Sequence, residues 1–345
     1  KIMSQKYDVV CTNPPYMGRK GMNPILIKYL DENFKDSKSD LFATFMELDD
    51  IYLKSNGFMG TINQHSWMFL SSYEKLRKKV INNRSIYNMI HLGARAFEEI
   101  SGEVVQSTSY IVRKIRVKRF NGAYYRLIEY KNSEQKETAL LGRADLYIKK
   151  QDAFLEIPGI PLSYWINQNM IKAFNDENML GEIAQTKQGL ATGDNKRFLR
   201  LWYEVSIESI GFNLKNLSDT TNPMLKWFPY NKGGEFKRWY GNQEYVVDWY
   251  KNGQEIRNFR DSSGKLRSRP QNMDFYLREG ITWSDITTGG FSGRYIPDGF
   301  IFDTTGPTMF ISGKENIYFL LSYVNSKVFQ SFLDIVMTGL HYNNG

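Results

Sequence analysis

Residues 9–21 read VVCTNPPYMGRKG. Four of them, Asn13, Pro14, Pro15 and Tyr16, place a carboxamide, a rigid backbone and a phenol ring in consecutive positions. Amide and carbonyl oxygens accept hydrogen bonds from an exocyclic NH2 group, and an aromatic face stacks on a planar base. An aromatic amine is a poor nucleophile because its lone pair is delocalised into the ring. Two acceptors holding its hydrogens favour a more tetrahedral nitrogen, which can attack a methyl sulfonium. That chemistry needs neither a general acid nor a metal. His65, His91 and His341 lie at unrelated spacings, so no metal site is expected. The competing reading of the quartet is an ordinary proline-rich turn.

The quartet follows a short apolar strand, Val9 to Cys11. Proline lacks an N–H and fixes φ near −65°, so Pro14 and Pro15 must end the pairing and give the chain a rigid exit from the sheet. In open α/β sheets ligands bind beyond the carboxyl ends of the strands, where Asn13 and Tyr16 would stand. PILIKYLDENF and DLFATFMELDDIYLKSNG have helical spacing (Leu41, Phe45, Leu48, Ile51, Tyr52), with a stop expected at Asn56-Gly57. GFMGTINQHSWMF reads as a strand. SSYEKLRKKVINN reads as a helix capped by Ser71 or Ser72 with basic residues in its last turn, and IYNMIHLG and VQSTSYIVRKIRV read as strands. This order predicts an α/β fold, the C-terminal half of a doubly wound, Rossmann-like sheet with one exposed edge. The chain opens at Tyr7-Asp8 already entering a strand, and reads as a piece of a longer protein.

At 345 residues the chain has room for two domains. Cys11, the one cysteine, falls in the strand expected to be buried, which excludes a disulfide framework and fits a reducing cytoplasm. No apolar run approaches the length of a membrane span. The net charge of +8 favours a polyanionic partner, because lysine and arginine release counterions from phosphates. From about Asn121 glycine, aromatics and short β-like runs replace helical periodicity. The expected division is 1–120 as catalytic half-domain, 121–160 as a connecting segment including IPGIPLSYWIN, and 161–345 as a mixed α/β domain. Near its end ENIYFLLSYVNSKVFQSFLDIVM reads as one helix broken at Asn325-Ser326.

Two segments of the second domain suit backbone phosphates, which position DNA without reading it. Lys187, Thr192, Gly193, Asn195, Lys196 and Arg197 form one polar loop. RNFRDSSGKLRSRPQN (257–272) puts Arg260, Lys265, Arg267 and Arg269 on a Ser/Gly/Pro-rich stretch expected to be mobile. VRKIRVKRF (112–120) reads instead as a solvated strand face, and Trp227, Trp239 and Trp249 read as core.

Asn13-Pro14-Pro15-Tyr16 after an apolar strand, with Leu41-Phe42 opening a helix and the GFMGTINQHSW strand following, resembles the amino-methyltransferases that make N6-methyladenine in DNA. GLATGDNKRFLRLWYEV (189–205), MLKWFPYNKGGEFKRWYG (224–241), GRYIPDGFIFDTTGP (293–307) and LLSYVNSKVFQ resemble the target-recognition region of large restriction-modification methyltransferases, above all the PglX type of the BREX phage-defence system. The resemblance covers nearly the whole chain. It implies that Asn13 and the carbonyl of Pro14 accept from the target amine, that Tyr16 stacks on a base flipped out of duplex DNA, and that Phe97 is a second aromatic on that base. It further implies S-adenosylmethionine as methyl donor, met by Asn13, Leu41 and Phe42. Other subunits of a defence system are the further partners it suggests. The glycine-rich turn that grips that donor stands upstream of the quartet in this class and is not in this sequence, so the chain alone is expected to be inactive. A DNA-binding specificity module without catalysis and a protein glutamine methyltransferase are the alternative functions.

Overall fold

A computed structural model describes residues 5–96, 105–175, 179–287, 289–313, 316–336 and 342. The chain divides into two compact units, 1–176 and 177–345.

The first unit is built on a six-stranded sheet. In chain order it runs β1 (Tyr7–Thr12), α1 (Pro24–Asn33), α2 (Leu41–Tyr52), β2 (Leu53–Gln64), α3 (Glu74–Asn83), β3 (Ser85–Gly93), β4 (Ser107–Arg113), β5 (Asn121–Arg126), α4 (Ser133–Leu141), β6 (Leu146–Lys150) and α5 (Gln168–Phe174). The strands lie in the order β1-β2-β4-β3-β5-β6. β1 and β2 are parallel, joined through α1 and α2, whereas β4 is antiparallel to both of its neighbours. The mixed sheet with its covering helices is the α/β architecture expected, and β1, like β6, lies at an edge of it. That position overturns the burial expected of Cys11: hydrogen-bonded on one side only, β1 leaves Cys11 exposed and Val9 58% exposed.

Several local expectations change for identifiable reasons. α2 stops at Tyr52 rather than at Asn56-Gly57, because Leu53 turns extended and pairs with Tyr7. Asn56, at φ +66°, lies where the β1–β2 register shifts, so the Asn-Gly pair marks a strand irregularity. Ser71 and Ser72 form a separate 3-10 turn, and α3 starts after it at Glu74 without a side-chain cap or basic residues in its last turn. β4 ends at Arg113, and Lys114 donates to the carbonyls of Asp50 and Leu53, so this basic run is partly tied down.

The segment expected as a connector carries structure. β5 pairs with β3 and β6 with β5, so residues 121–150 extend the sheet. Ile160, Leu162 and Tyr164 of IPGIPLSYWIN are buried in the same core as Phe42, Met59, Trp67 and Tyr110. Arg77 holds them there. Fully buried on α3, it donates to the carbonyls of Ile160 (2.8 Å), Gly159 (2.6 Å), Trp67 (2.8 Å) and Leu70 (2.7 Å).

The second unit runs α6 (Leu180–Ile183), β7 (Ala184–Lys187), α7 (Asn195–Phe198), β8 (Leu199–Leu201), β9 (Trp227–Asn231), β10 (Tyr245–Asp248), α8 (Tyr250–Arg257), β11 (Gly280–Thr282), β12 (Arg294–Ile296), β13 (Ile301–Phe302), β14 (Thr308–Ile311), α9 (Ile317–Val324) and α10 (Lys327–Val336). It holds two four-stranded sheets, β13-β9-β10-β8 and β12-β11-β14-β7, each with its own apolar cluster. The break between α9 and α10 falls at Asn325-Ser326 as expected, and the Asn325 amide is bonded to both N–H and C=O of Gly293. Of the three tryptophans expected in the core, Trp249 is fully buried, Trp227 half-buried and Trp239 exposed.

Candidate active site and nucleic-acid interface

β1 runs into Asn13 at its carboxyl end, beside the carboxyl end of parallel β2. Asn13 is exposed, Pro14 buried, Pro15 exposed and Tyr16 half-buried. The quartet is fastened to the start of α2. The Asp40 carboxylate, which caps that helix through Phe42 N–H, also accepts from Met17 N–H at 2.9 Å, and Leu41 N–H donates to the Met17 carbonyl at 3.1 Å. The proline exit is thus braced from both sides, and the carboxamide stands free at its tip.

The Tyr16 ring packs edge-on against Phe42 at 6.2 Å, and Phe42 against Tyr73 at 5.7 Å. Burial pushes the Tyr16 phenol above its ordinary pKa, the Ser107 hydroxyl pulls it down and Asp40 pushes it further up, so it stays protonated across the physiological range. Of the three residues expected to meet the donor, Asn13 is exposed, Leu41 half-buried and Phe42 buried. The exposed carboxamide and the Tyr16 ring suit the methyl end of a sulfonium donor, whereas Phe42 is almost fully buried and Asp40 is committed to backbone N–H groups. Phe97 lies outside the described residues.

Sequence reasoning missed three groups around this edge. Asp49 is buried on α2, and burial raises its pKa to about 6 against a lowering influence of the Thr12 hydroxyl. The spacing Phe42, Met46, Asp49 was the available signal, since it puts an acid on the apolar stripe of the helix. Arg77 carried the same signal on the next helix, where it is buried with Leu76 and Ile81. His65 and His91, far apart in sequence, meet with Nδ1 to Nε2 at 2.7 Å, and the second nitrogen of His91 faces the Tyr164 hydroxyl at 3.1 Å. Burial lowers His65 to about 4 and His91 well below its ordinary value, so both are neutral at pH 7. No group of three or more metal-ligating side chains occurs among the described residues.

In the second unit the two segments expected to hold phosphates come together. Ala191 and Arg269 exchange backbone hydrogen bonds at 3.0 and 2.8 Å. Residues 259–267, expected to be mobile, form a tight hairpin: Arg267 N–H donates to Phe259, Asp261 N–H to Lys265, and the Asp261 carboxylate accepts from the N–H groups of Ser263 and Lys265. Arg260, Lys265, Arg267 and Arg269 are all exposed on it. In the facing loop Asn195, Lys196 and Arg197 are exposed. Thr192 is buried and donates to Asn195, Arg197 pairs with Glu255 at 2.5 Å, and Lys187 lies over the Phe275 ring.

Gly189 fixes this loop to β13, where a Cβ would stand 1.8 Å from the Phe302 carbonyl oxygen. Gly189→Ala is therefore expected to destabilise the second unit by about 3 kcal/mol, seen as a lower urea midpoint.

Residues 1–97 match the Eco57I restriction-modification methylase family. The whole chain is 39% identical over 353 residues to the adenine-specific methyltransferase PglX of Lacticaseibacillus casei (strain Zhang), covering 29% of that protein. It is 40% identical over 348 residues to the adenine-specific methyltransferase BrxX of Escherichia coli O9:H4 (strain HS), again along the whole chain and over 28% of that protein. Among solved structures the fold is similar to that of the Type IIL restriction-modification enzyme MmeI in complex with DNA, with TM-score 0.58, 13% identity, and coverage of 98% of this chain and 45% of MmeI. The chain spans less than a third of the length of its curated relatives. Along its whole length the chain is similar to the PglX-type adenine-specific methyltransferases, as its quartet and recognition segments implied.

Proposed function

We propose that this chain carries the base-handling part and the target-recognition part of a DNA adenine-N6 methyltransferase that takes its methyl group from S-adenosylmethionine. The observation that carries the reading is the quartet itself, a free carboxamide on a braced proline exit at the carboxyl end of β1. In that role Asn13 Oδ1 and the Pro14 carbonyl accept from the two hydrogens of the N6-amine, and the Tyr16 ring stacks on the adenine. The base leaves the duplex because its amine is otherwise paired. The donor supplies an electrophilic methyl on sulfonium.

The basic hairpin 259–267, with Arg269 and the 192–197 loop, then contacts the phosphates of duplex DNA in the cytoplasm, and the similarity to PglX and BrxX supports a role for the whole protein in phage defence, with further subunits as partners in that reading. No helix among the described residues is long and apolar enough to cross a membrane. Fluorescence anisotropy of this chain on duplex DNA across a salt series tests the reading. Affinity is expected to fall steeply with salt. Replacing Arg260, Lys265, Arg267 and Arg269 together by alanine is expected to flatten the slope of log K against log[salt] by about 3–4 units. Absence of binding even at low salt would move the reading towards a substrate other than DNA.

A further inference from the structure

Beneath the quartet lies a group of buried polar side chains in an otherwise apolar setting. On β2, alternation puts Met59, Thr61 and Asn63 on one buried face, and on β4 the matching residues are Val112, Tyr110 and Thr108. Asn63 donates to the Tyr110 hydroxyl at 2.9 Å. Asp49 reaches this face from α2, and its charge acts on Tyr110. The other end of the group meets the site, since Tyr110 also interacts with Tyr16, and Ser107 faces the Tyr16 hydroxyl. Five atoms here are buried without a hydrogen-bond partner of good geometry: Tyr16 Oη, Asp49 Oδ2, Thr61 Oγ1, Asn63 Oδ1 and Ser107 Oγ.

Such a group is unfavourable for folding. A buried carboxylate with an unpartnered oxygen, on a helix stripe otherwise filled by Phe42 and Met46, destabilises the unit relative to an apolar residue of similar size. Its placement has a consequence for the site, because the hydroxyl that acts on its carboxyl is that of Thr12, the residue before Asn13. Resting on the methyl-transfer reading above, we propose that Asp49 is a positioning residue: acting through Thr12, and through the buried polar groups of β2 and β4, it fixes the Asn13 carboxamide and the Tyr16 ring for the target amine. Asp49 touches neither base nor donor. Its carboxylate is the stronger acceptor when ionised, so positioning weakens as it takes up a proton.

Thr12 on β1 acts on Asp49, and Asp49 in turn acts on Tyr110 of β4, which also meets Asn63 and Thr61 of β2 and Tyr16, with Asp40 acting on Tyr16 beyond. Burial raises both tyrosines above their ordinary range, so Asp49 is the member of this group that titrates near pH 6. For stability the sign is opposite to that for activity. A carboxyl whose folded pKa is raised from 3.8 to about 6 stabilises the fold while protonated, and that contribution is lost as pH rises through this window.

The test uses the full-length protein with S-adenosylmethionine and duplex DNA, comparing wild type, Asp49→Leu, Asp49→Asn and Asn13→Ala. Asp49→Leu removes the acceptor and is expected to lower kcat at least tenfold with KM for DNA unchanged, while its melting temperature at pH 8 equals or exceeds that of wild type. Asp49→Asn keeps an acceptor for Thr12. It is expected to stay within about threefold of the wild-type plateau, to lack the wild-type decline in kcat below pH 6, and to lose the wild-type fall in melting temperature between pH 4 and pH 6. Wild-type kcat in Asp49→Leu, or an unchanged acid decline in Asp49→Asn, overturns the proposal and leaves methyl transfer intact. A wild type no more active than Asn13→Ala overturns the methyl-transfer reading and this proposal with it.

Discussion

Asn13→Ala is expected to lower the rate of methyl transfer by the full-length protein by about 10²–10³-fold, on the scale of losing one preorganised electrostatic partner of the reacting group. On the proposed methyl-transfer reading, the substitution removes the acceptor that draws the amine nitrogen towards a tetrahedral, nucleophilic form. The Pro14 carbonyl remains, because backbone is untouched and Pro14 is buried in place. Two readouts separate this from a general defect. Asn13 is exposed at the tip of the proline exit, so the melting temperature should change little. Affinity for duplex DNA should stay within a factor of two or so, since a base acceptor contributes little beside many phosphate contacts. Persistent methylation in this variant would show that the quartet is a proline-rich turn and that the chemistry lies elsewhere.

The largest effect on stability is expected from Arg77. Its guanidinium is fully buried and donates to four backbone carbonyls, two before α3 and two in the 157–166 segment. Burial lowers its pKa to about 10 against a raising effect of Glu74, so it remains charged at neutral pH. Arg77→Ala leaves those carbonyls buried without donors and opens a cavity beneath the sheet. A loss of about 3–5 kcal/mol follows, on the order of 10 °C in melting temperature for a unit of this size. Arg77→Lys should recover little, because an ammonium offers three donors and no planar fork. Limited proteolysis should then cut first in 157–166. Equal protection of that segment in wild type and Arg77→Ala would contradict the role given to these four bonds.

How much was legible depended on whether a signal was local. The proline pair announced the end of β1 because proline cannot donate to a ladder, and nothing distant can restore that hydrogen bond. The helix break at Asn325-Ser326 and the strand character of Gly57–Gln64 were readable for the same reason. The end of α2 was not. Asn56-Gly57 is a good helix stop by its residue types, but Leu53 leaves the helix earlier because Tyr7, distant in sequence, offers a strand partner. The connector misled in the same way, since 121–150 looks like glycine- and aromatic-rich linkage until β3 is seen beside it.

The sequence by itself determined the Asn13-Pro14-Pro15-Tyr16 quartet, its place at a strand end, the α/β order of the first unit and the similarity to adenine-specific methyltransferases. These reside in residue types a few positions apart, where backbone sterics and hydrogen-bonding capacity act directly. Only the tertiary structure decided that β1 is an edge, that Cys11 is exposed, that Arg77 and Asp49 lie inside, that His65 meets His91, and that the 192–197 loop joins the 259–269 hairpin. Each depends on which strand or loop is neighbour to which. That choice is made by burying apolar area across the whole unit, and it can carry a polar side chain inward whenever the helix stripe or strand face it belongs to must be buried.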